Sequence, residues 1–170
     1  MGKLDIIKKV LNSKYHDESG KLEENTREVK MSIVIQDKRT VGYALYRFDQ
    51  NYKADHFARE KGLSQMCDYF LFAEENDSLF VFSIELKNSS NLNAKQQLLA
   101  GECFMQYIVN TAKRVGEAIQ IEDCNFKRIK ITNQKKSSTK TGELFDTDGY
   151  CCNYSGRKFD ISYMLKEASV

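Results

Sequence analysis

The chain has no proline and no tryptophan, and only two histidines and nine glycines among its 170 residues. Without proline there is no proline-rich linker, and no internal repeat or low-complexity tail divides the sequence into separate units. The histidines, His16 and His56, are too few to serve many schemes, and neither sits in a recognisable nucleophile setting of the triad kind. No apolar run approaches the roughly 20 residues that a membrane helix needs, so no membrane partner is expected. The N-terminus, Met1-Gly2-Lys3-Leu4-Asp5, carries an acid early and lacks an uninterrupted apolar segment. A secretory signal is therefore not expected, and a cytoplasmic location follows. The five cysteines, Cys67, Cys103, Cys124, Cys151 and Cys152, are odd in number and form no C-x-x-C clamp. Neither a disulfide framework nor a zinc site is supported, and the thiols are expected to be reduced and mostly packed in the core. Formal net charge is only +2, so bulk charge does not announce a nucleic-acid partner.

What remains is an ordinary globular composition, 41% hydrophobic and 29% charged, in a length that suits one domain. Within it the pattern divides into an N-terminal helix and hairpin (about 1–50), a core (about 51–132) and a basic loop with a C-terminal hairpin (about 133–170). Leu4, Ile6, Ile7, Val10 and Leu11 recur at helical spacing and predict a first helix ending near Ser13 to Tyr15. His16 to Asn25 is polar, contains Gly20 and reads as a loop. The β-formers of 29–35 and 41–46, around Asp37-Lys38-Arg39-Thr40, read as a hairpin, and Asn51 to Lys61 as a short helix halted by Gly62.

Two strands follow, at about 67–73 and 79–87, apolar on both faces as in a sheet covered by helices. On the second, Phe80, Phe82, Ile84 and Leu86 share one face while Ser83, Glu85 and Lys87 share the other. The next segment carries Ala94, Leu98, Gly101, Met105, Ile108, Ala112 and Val115 in a four-three alternation, a long helix that must pack on the sheet. Gly101 in mid-stripe costs such a helix about 1 kcal/mol against alanine, which a close approach to a strand explains. A third strand is expected at Phe126 to Thr132, and a last hairpin through Tyr150–Tyr154 and Phe159–Tyr163, turning at Ser155-Gly156.

The chemistry concentrates where the second strand ends, at Glu85-Leu86-Lys87, with Asp68 at the head of the preceding strand. Two carboxylates brought together from neighbouring strands can hold Mg²⁺, which takes oxygen ligands and keeps part of its water to meet phosphate. Lys87 is two residues past Glu85 and therefore points to the same face. From Phe126 through Gly142 stand six basic residues, Lys127, Arg128, Lys130, Lys135, Lys136 and Lys140, and no acidic one. Beside a metal site such a run reads as a track for the phosphate backbone, which gains affinity by counterion release without reading bases.

This layout resembles the PD-(D/E)xK nuclease superfamily, over roughly Asn51 to Ile131 in element order: strand, short polar turn, strand, E-x-K, long helix. The matching residues are Asp68, Glu85 and Lys87, and Cys67 stands where the family usually has proline. The resemblance implies a restriction-endonuclease-like α/β core, a central mixed β-sheet flanked by α-helices. It also implies phosphodiester hydrolysis with Mg²⁺ or Mn²⁺, on DNA rather than RNA, in a protein of prokaryotic or phage type. Asp68, Glu85 and the backbone carbonyl of Leu86 would hold the metal, and Lys87 would serve the attacking water or the transition state. Glu60 would be the further acid that some relatives carry, and Gln97 the glutamine that others place on the long helix; the tyrosine that often follows it by four residues is Gly101 here. A homodimer is expected, since one small site cuts one strand. The alternative from another class is a nucleic-acid-binding or assembly subunit on the same fold without catalysis.

Overall fold

The computed structural model describes residues 2–26, 30–39, 41–48, 66–87, 93–115, 124–132, 144–155 and 157–169, and among these it forms two β-sheets and three α-helices. Helix α1 (Lys3–Val10) buries Leu4, Ile6 and Ile7, and gives way to an extended segment and a short 3₁₀ turn at Ser13–Tyr15. At its start the Leu4 N–H is covered from elsewhere in the fold, by the Glu74 carboxylate at 2.9 Å. Strands β1 (Lys21–Asn25) and β2 (Lys30–Gln36) are antiparallel. The stretch read as a polar loop thus contains a strand, because only Leu22 of β1 is buried and one apolar residue is too faint a period to notice.

Strand β3 (Tyr43–Arg47) does not pair with β2. The expected hairpin is a crossing between sheets: the Asp37 carboxylate accepts from the N–H groups of Val41 and Gly42 at 3.1 and 2.9 Å, and Gly42 takes the left-handed φ of +83°. Instead β3 runs antiparallel to β4 (Tyr69–Glu75), which forms a true hairpin with β5 (Ser78–Lys87). Asn76 and Asp77 close that hairpin with φ of 51° and 61°, the paired positive values of a type I′ turn. The outer edge of β3 is partly covered, by a bridge from His16 to Tyr46 and by the Asp17 N–H on the Leu45 carbonyl.

After β5 the chain enters α2 (Asn93–Val115) and returns as β6 (Cys124–Thr132), parallel to β5. Strand β7 (Tyr150–Tyr154) adds parallel to β6, completing a mixed five-stranded sheet in the order β3-β4-β5-β6-β7. The expected C-terminal hairpin is absent. Strand β8 (Lys158–Asp160) crosses to the other sheet, where it lies parallel to β2 in the order β1-β2-β8. Asp160 then caps α3 (Ile161–Ala168), its side chain accepting from the Tyr163 N–H at 3.2 Å. A segment whose apolar residues suit either period becomes a helix here because a capping aspartate precedes it.

Two cores result. One face of the five-stranded sheet, with Leu71, Phe80, Phe82, Ile84, Ile129 and Ile131, packs against β1, β2, β8 and α3. The other, with Phe70, Phe72 and Val81, packs under α1 and α2. Gly101 meets the sheet as expected: a Cβ there would lie 2.5 Å from the Cys67 sulfur and 3.0 Å from the Phe70 ring. Val115, the last residue of α2, departs from the expected stripe by being 60% exposed, and Val109 is buried instead. The helix expected at Asn51 to Lys61 lies outside the described residues.

Candidate active site

β5 is the middle strand, paired on both sides, and its alternation decides what the site contains. Phe80, Phe82, Ile84 and Leu86 enter the core shared with β2 and α3, so Ser83, Glu85 and Lys87 face the helical side. Asp68 immediately precedes β4, and the register pairs Tyr69 with Ile84, which sets Asp68 beside Glu85 across the hairpin. Each acid is then held by a backbone N–H of the facing strand end. The Asp68 N–H donates to Glu85 Oε2 at 3.2 Å, and the Leu86 N–H donates to Asp68 Oδ2 at 2.7 Å. Lys87 Nζ lies 2.5 Å from Glu85 Oε1. That contact is an ion pair without the alignment of a hydrogen bond, and no other donor among the described residues is aimed at Oε1.

Glu85 has no exposed surface, whereas Asp68 and Lys87 are half-buried and reach the rim. Burial, and then the Asp68 charge, push the Glu85 carboxyl up to about 8, against the pull of Lys87. For Lys87 burial works the other way, but the contact with Glu85 and the charges of Glu85, Asp68 and Glu24 outweigh it, so its pKa is raised. Cys67 lies in the same corner, fully buried; burial and then the Glu85 and Asp68 charges hold its thiol well above the usual range, which keeps it an inert packing group.

The donor set fits a hard divalent cation: two carboxylates from adjacent strands converge, and one buried oxygen of Glu85 lacks an aligned donor. Among the described residues no third histidine, cysteine or acidic side chain joins them in a metal-holding group, so backbone carbonyl and water would complete the shell. Glu60 lies outside the described residues. Gln97 is half-buried on α2 and Gln96 exposed, and neither has a hydrogen bond to the carboxylate pair. Glu24 is the residue that sequence reasoning missed. It extends from β1, 15% exposed, pairs with Arg47 at 3.8 Å, and its charge bears on Lys87. The only available signal was its two-residue spacing from Leu22.

The three described residues of the basic run have different surroundings. The Lys127 ammonium lies over the Phe145 ring, 5.1 Å from its centroid. Arg128 is buried and occupied: its Nε lies 3.1 Å from Glu102 Oε2, and its Nη2 donates to the Asp148 carbonyl. Lys130 is buried as the register partner of Glu85. Lys135, Lys136 and Lys140 lie outside the described residues. Among the described cysteines, Cys67, Cys103, Cys124 and Cys151 are all free thiols; Cys103 departs from the expected packing by being exposed. No helix among the described residues is long and apolar enough to cross a membrane. Comparison with protein-family models, curated proteins and solved structures finds no match to this chain.

Proposed function

We propose that the chain is a metal-dependent nuclease on a restriction-endonuclease-like core, cytoplasmic and of prokaryotic or phage type, hydrolysing phosphodiesters of DNA in preference to RNA. One observation carries the reading: Asp68 and Glu85 converge at the end of two adjacent strands, the Asp68 N–H on the Glu85 carboxylate and the Leu86 N–H on the Asp68 carboxylate, with Lys87 on Glu85. A hairpin, a long helix and a strand parallel to the hairpin's second strand surround them, the element order that the resemblance implies.

Asp68, Glu85 and the Leu86 carbonyl would hold Mg²⁺ or Mn²⁺, which when bound supplies Lewis-acid stabilisation of the phosphate and a more acidic water. The chain's own part is positional and electrostatic. The Leu86 N–H fixes the Asp68 carboxylate, so both acids are ordered before a cation arrives. Release of Lys87 from Glu85 would free its ammonium to orient water or meet the charge that develops on the phosphate. One site per chain suits a homodimer for cutting both strands.

A second reading has its own observation: Glu85 is wholly covered, as suits a buried ion pair that ties a strand end in a non-catalytic nucleic-acid-binding or assembly subunit. Incubation with plasmid, linear and single-stranded DNA and with RNA, each with Mg²⁺, Mn²⁺ or EDTA, separates the two. Nuclease action requires cleavage that EDTA abolishes and that Glu85→Gln or Lys87→Ala lowers by ~10²-fold or more. Millimolar metal should raise the melting temperature of the wild type, and Asp68→Asn should lose most of that rise. Nucleic-acid binding without cleavage under any metal would favour the second reading.

A further inference from the structure

Arg128 and Lys130 stand two residues apart on the helical side of β6, both buried, and the fold treats them differently. Arg128 has Glu102, the Asp148 carbonyl and the Tyr150 ring around its guanidinium. Lys130, 7% exposed, has no hydrogen-bond or ion-pair partner among the described residues. The side chain is therefore largely covered within the fold.

Its place is as telling as its lack of a partner among the described residues. Lys130 is the Cα partner of Glu85 across the parallel β5–β6 ladder, and partners in a ladder carry their side chains on the same face. It stands one strand over from Glu85, beside the Lys87–Thr132 pair that ends the ladder. An unpaired cation with a buried stem works against folding unless something anionic meets it. An ammonium on a flexible stem suits phosphate, which it meets as a point charge.

We propose that Lys130 is the receptor of a phosphate subsite beside the carboxylate pair, taking the phosphate next to the scissile one on the same nucleic-acid strand. The nucleic-acid assignment rests on the nuclease reading; the anion subsite rests on Lys130's burial, its register and its lack of a partner among the described residues.

The test compares wild type, Lys130→Met and Lys130→Arg in EDTA, where no catalysis intervenes. Inorganic phosphate should raise the melting temperature of the wild type and of Lys130→Arg by ~2–4 °C beyond chloride at equal ionic strength, and leave Lys130→Met unmoved. Without phosphate, Lys130→Met should be at least as stable as the wild type, since methionine keeps most of the stem and removes the charge. With a short oligonucleotide, still in EDTA, Lys130→Met should lower the log–log salt slope of binding by about one. With metal, it should raise KM about tenfold and leave kcat within about twofold, unlike Lys87→Ala, whose loss falls on kcat. A destabilised Lys130→Met that keeps the full phosphate increment would make Lys130 a spacer and overturn the subsite. An increment with phosphate but an unchanged oligonucleotide slope would overturn the nucleic-acid assignment. Failure of the wild type to cleave under any metal condition defeats the nuclease reading separately, because the phosphate arm contains no cleavage step.

Discussion

The face of the five-stranded sheet turned to β1, β2, β8 and α3 and the face turned to α1 and α2 are both buried, but they are filled differently. The first is dry: Phe82, Ile84, Leu86, Ile129 and Ile131 meet Phe159, Ile161 and Leu165 with apolar atoms on both sides. The second begins alike, with Phe70, Phe72 and Val81 under α2, then changes along β5 and β6. Five of the six buried polar or charged residues among those described, Ser83, Glu85, Arg128, Lys130 and Thr132, lie on these two strands on that side. Burying apolar surface favours folding by about 25 cal/mol per Å², whereas burying a charge opposes it unless a partner is provided. One face therefore holds the molecule together, and the other gives up part of that gain at the end where the acids converge.

The comparison can be tested through stability, beginning with the largest effect. Phe82→Ala, on the dry face, should destabilise the protein by about 3–5 kcal/mol in denaturant unfolding. A loss under about 1 kcal/mol would mean that this face is not the main source of stability.

Glu85→Gln should act in the opposite direction, in a pH-dependent way. The native carboxyl titrates near 8, against an ordinary 4.5, so the folded state binds the extra proton between those values. This contribution to stability is complete below about pH 4.5 and is lost as pH rises toward 8. In EDTA the wild type should lose stability over that window, and the glutamine variant should lack this part of the slope. Above pH 8 the variant should be the more stable by about 2–4 kcal/mol. Parallel pH profiles would show that Glu85 ionises in the native state as easily as in water.

Gly101→Ala sharpens the comparison where α2 covers the charged end. Its Cβ would fall 2.5 Å from the Cys67 sulfur, and overpacking of this kind outweighs the helix propensity that alanine adds. A net loss of about 1–2 kcal/mol is expected, and Cys67→Ala in the same chain should recover much of it. Equal losses with and without Cys67→Ala would place the strain elsewhere, against the Phe70 ring.

How much of this was legible beforehand depends on the range of the signal. The faces of β5 follow from its alternation, and the α2 stripe from its four-three spacing, down to the close approach at Gly101. Asp68, Glu85 and Lys87 could be singled out because an E-x-K closing an apolar strand is a local pattern. The two expected hairpins were misread for one shared reason: β2 and β8 look like partners of the strands beside them in sequence, yet pair with each other. Glu24 was hidden by a strand with a single buried residue, and the three described members of the basic run have three different surroundings.

The sequence by itself determined which residues share a face, because side-chain direction follows from backbone periods of 2.0 and 3.6 that each segment carries within itself. It also determined the order of hairpin, helix and returning strand, and the coincidence of acid and lysine at one strand end. Only the tertiary structure decided that Glu85 would be sealed while Asp68 stays at the rim, that Arg128 would find Glu102, and that Lys130 would find no partner among the described residues. Burial and pairing of charge depend on what arrives from distant parts of the chain, and no local period encodes that arrival.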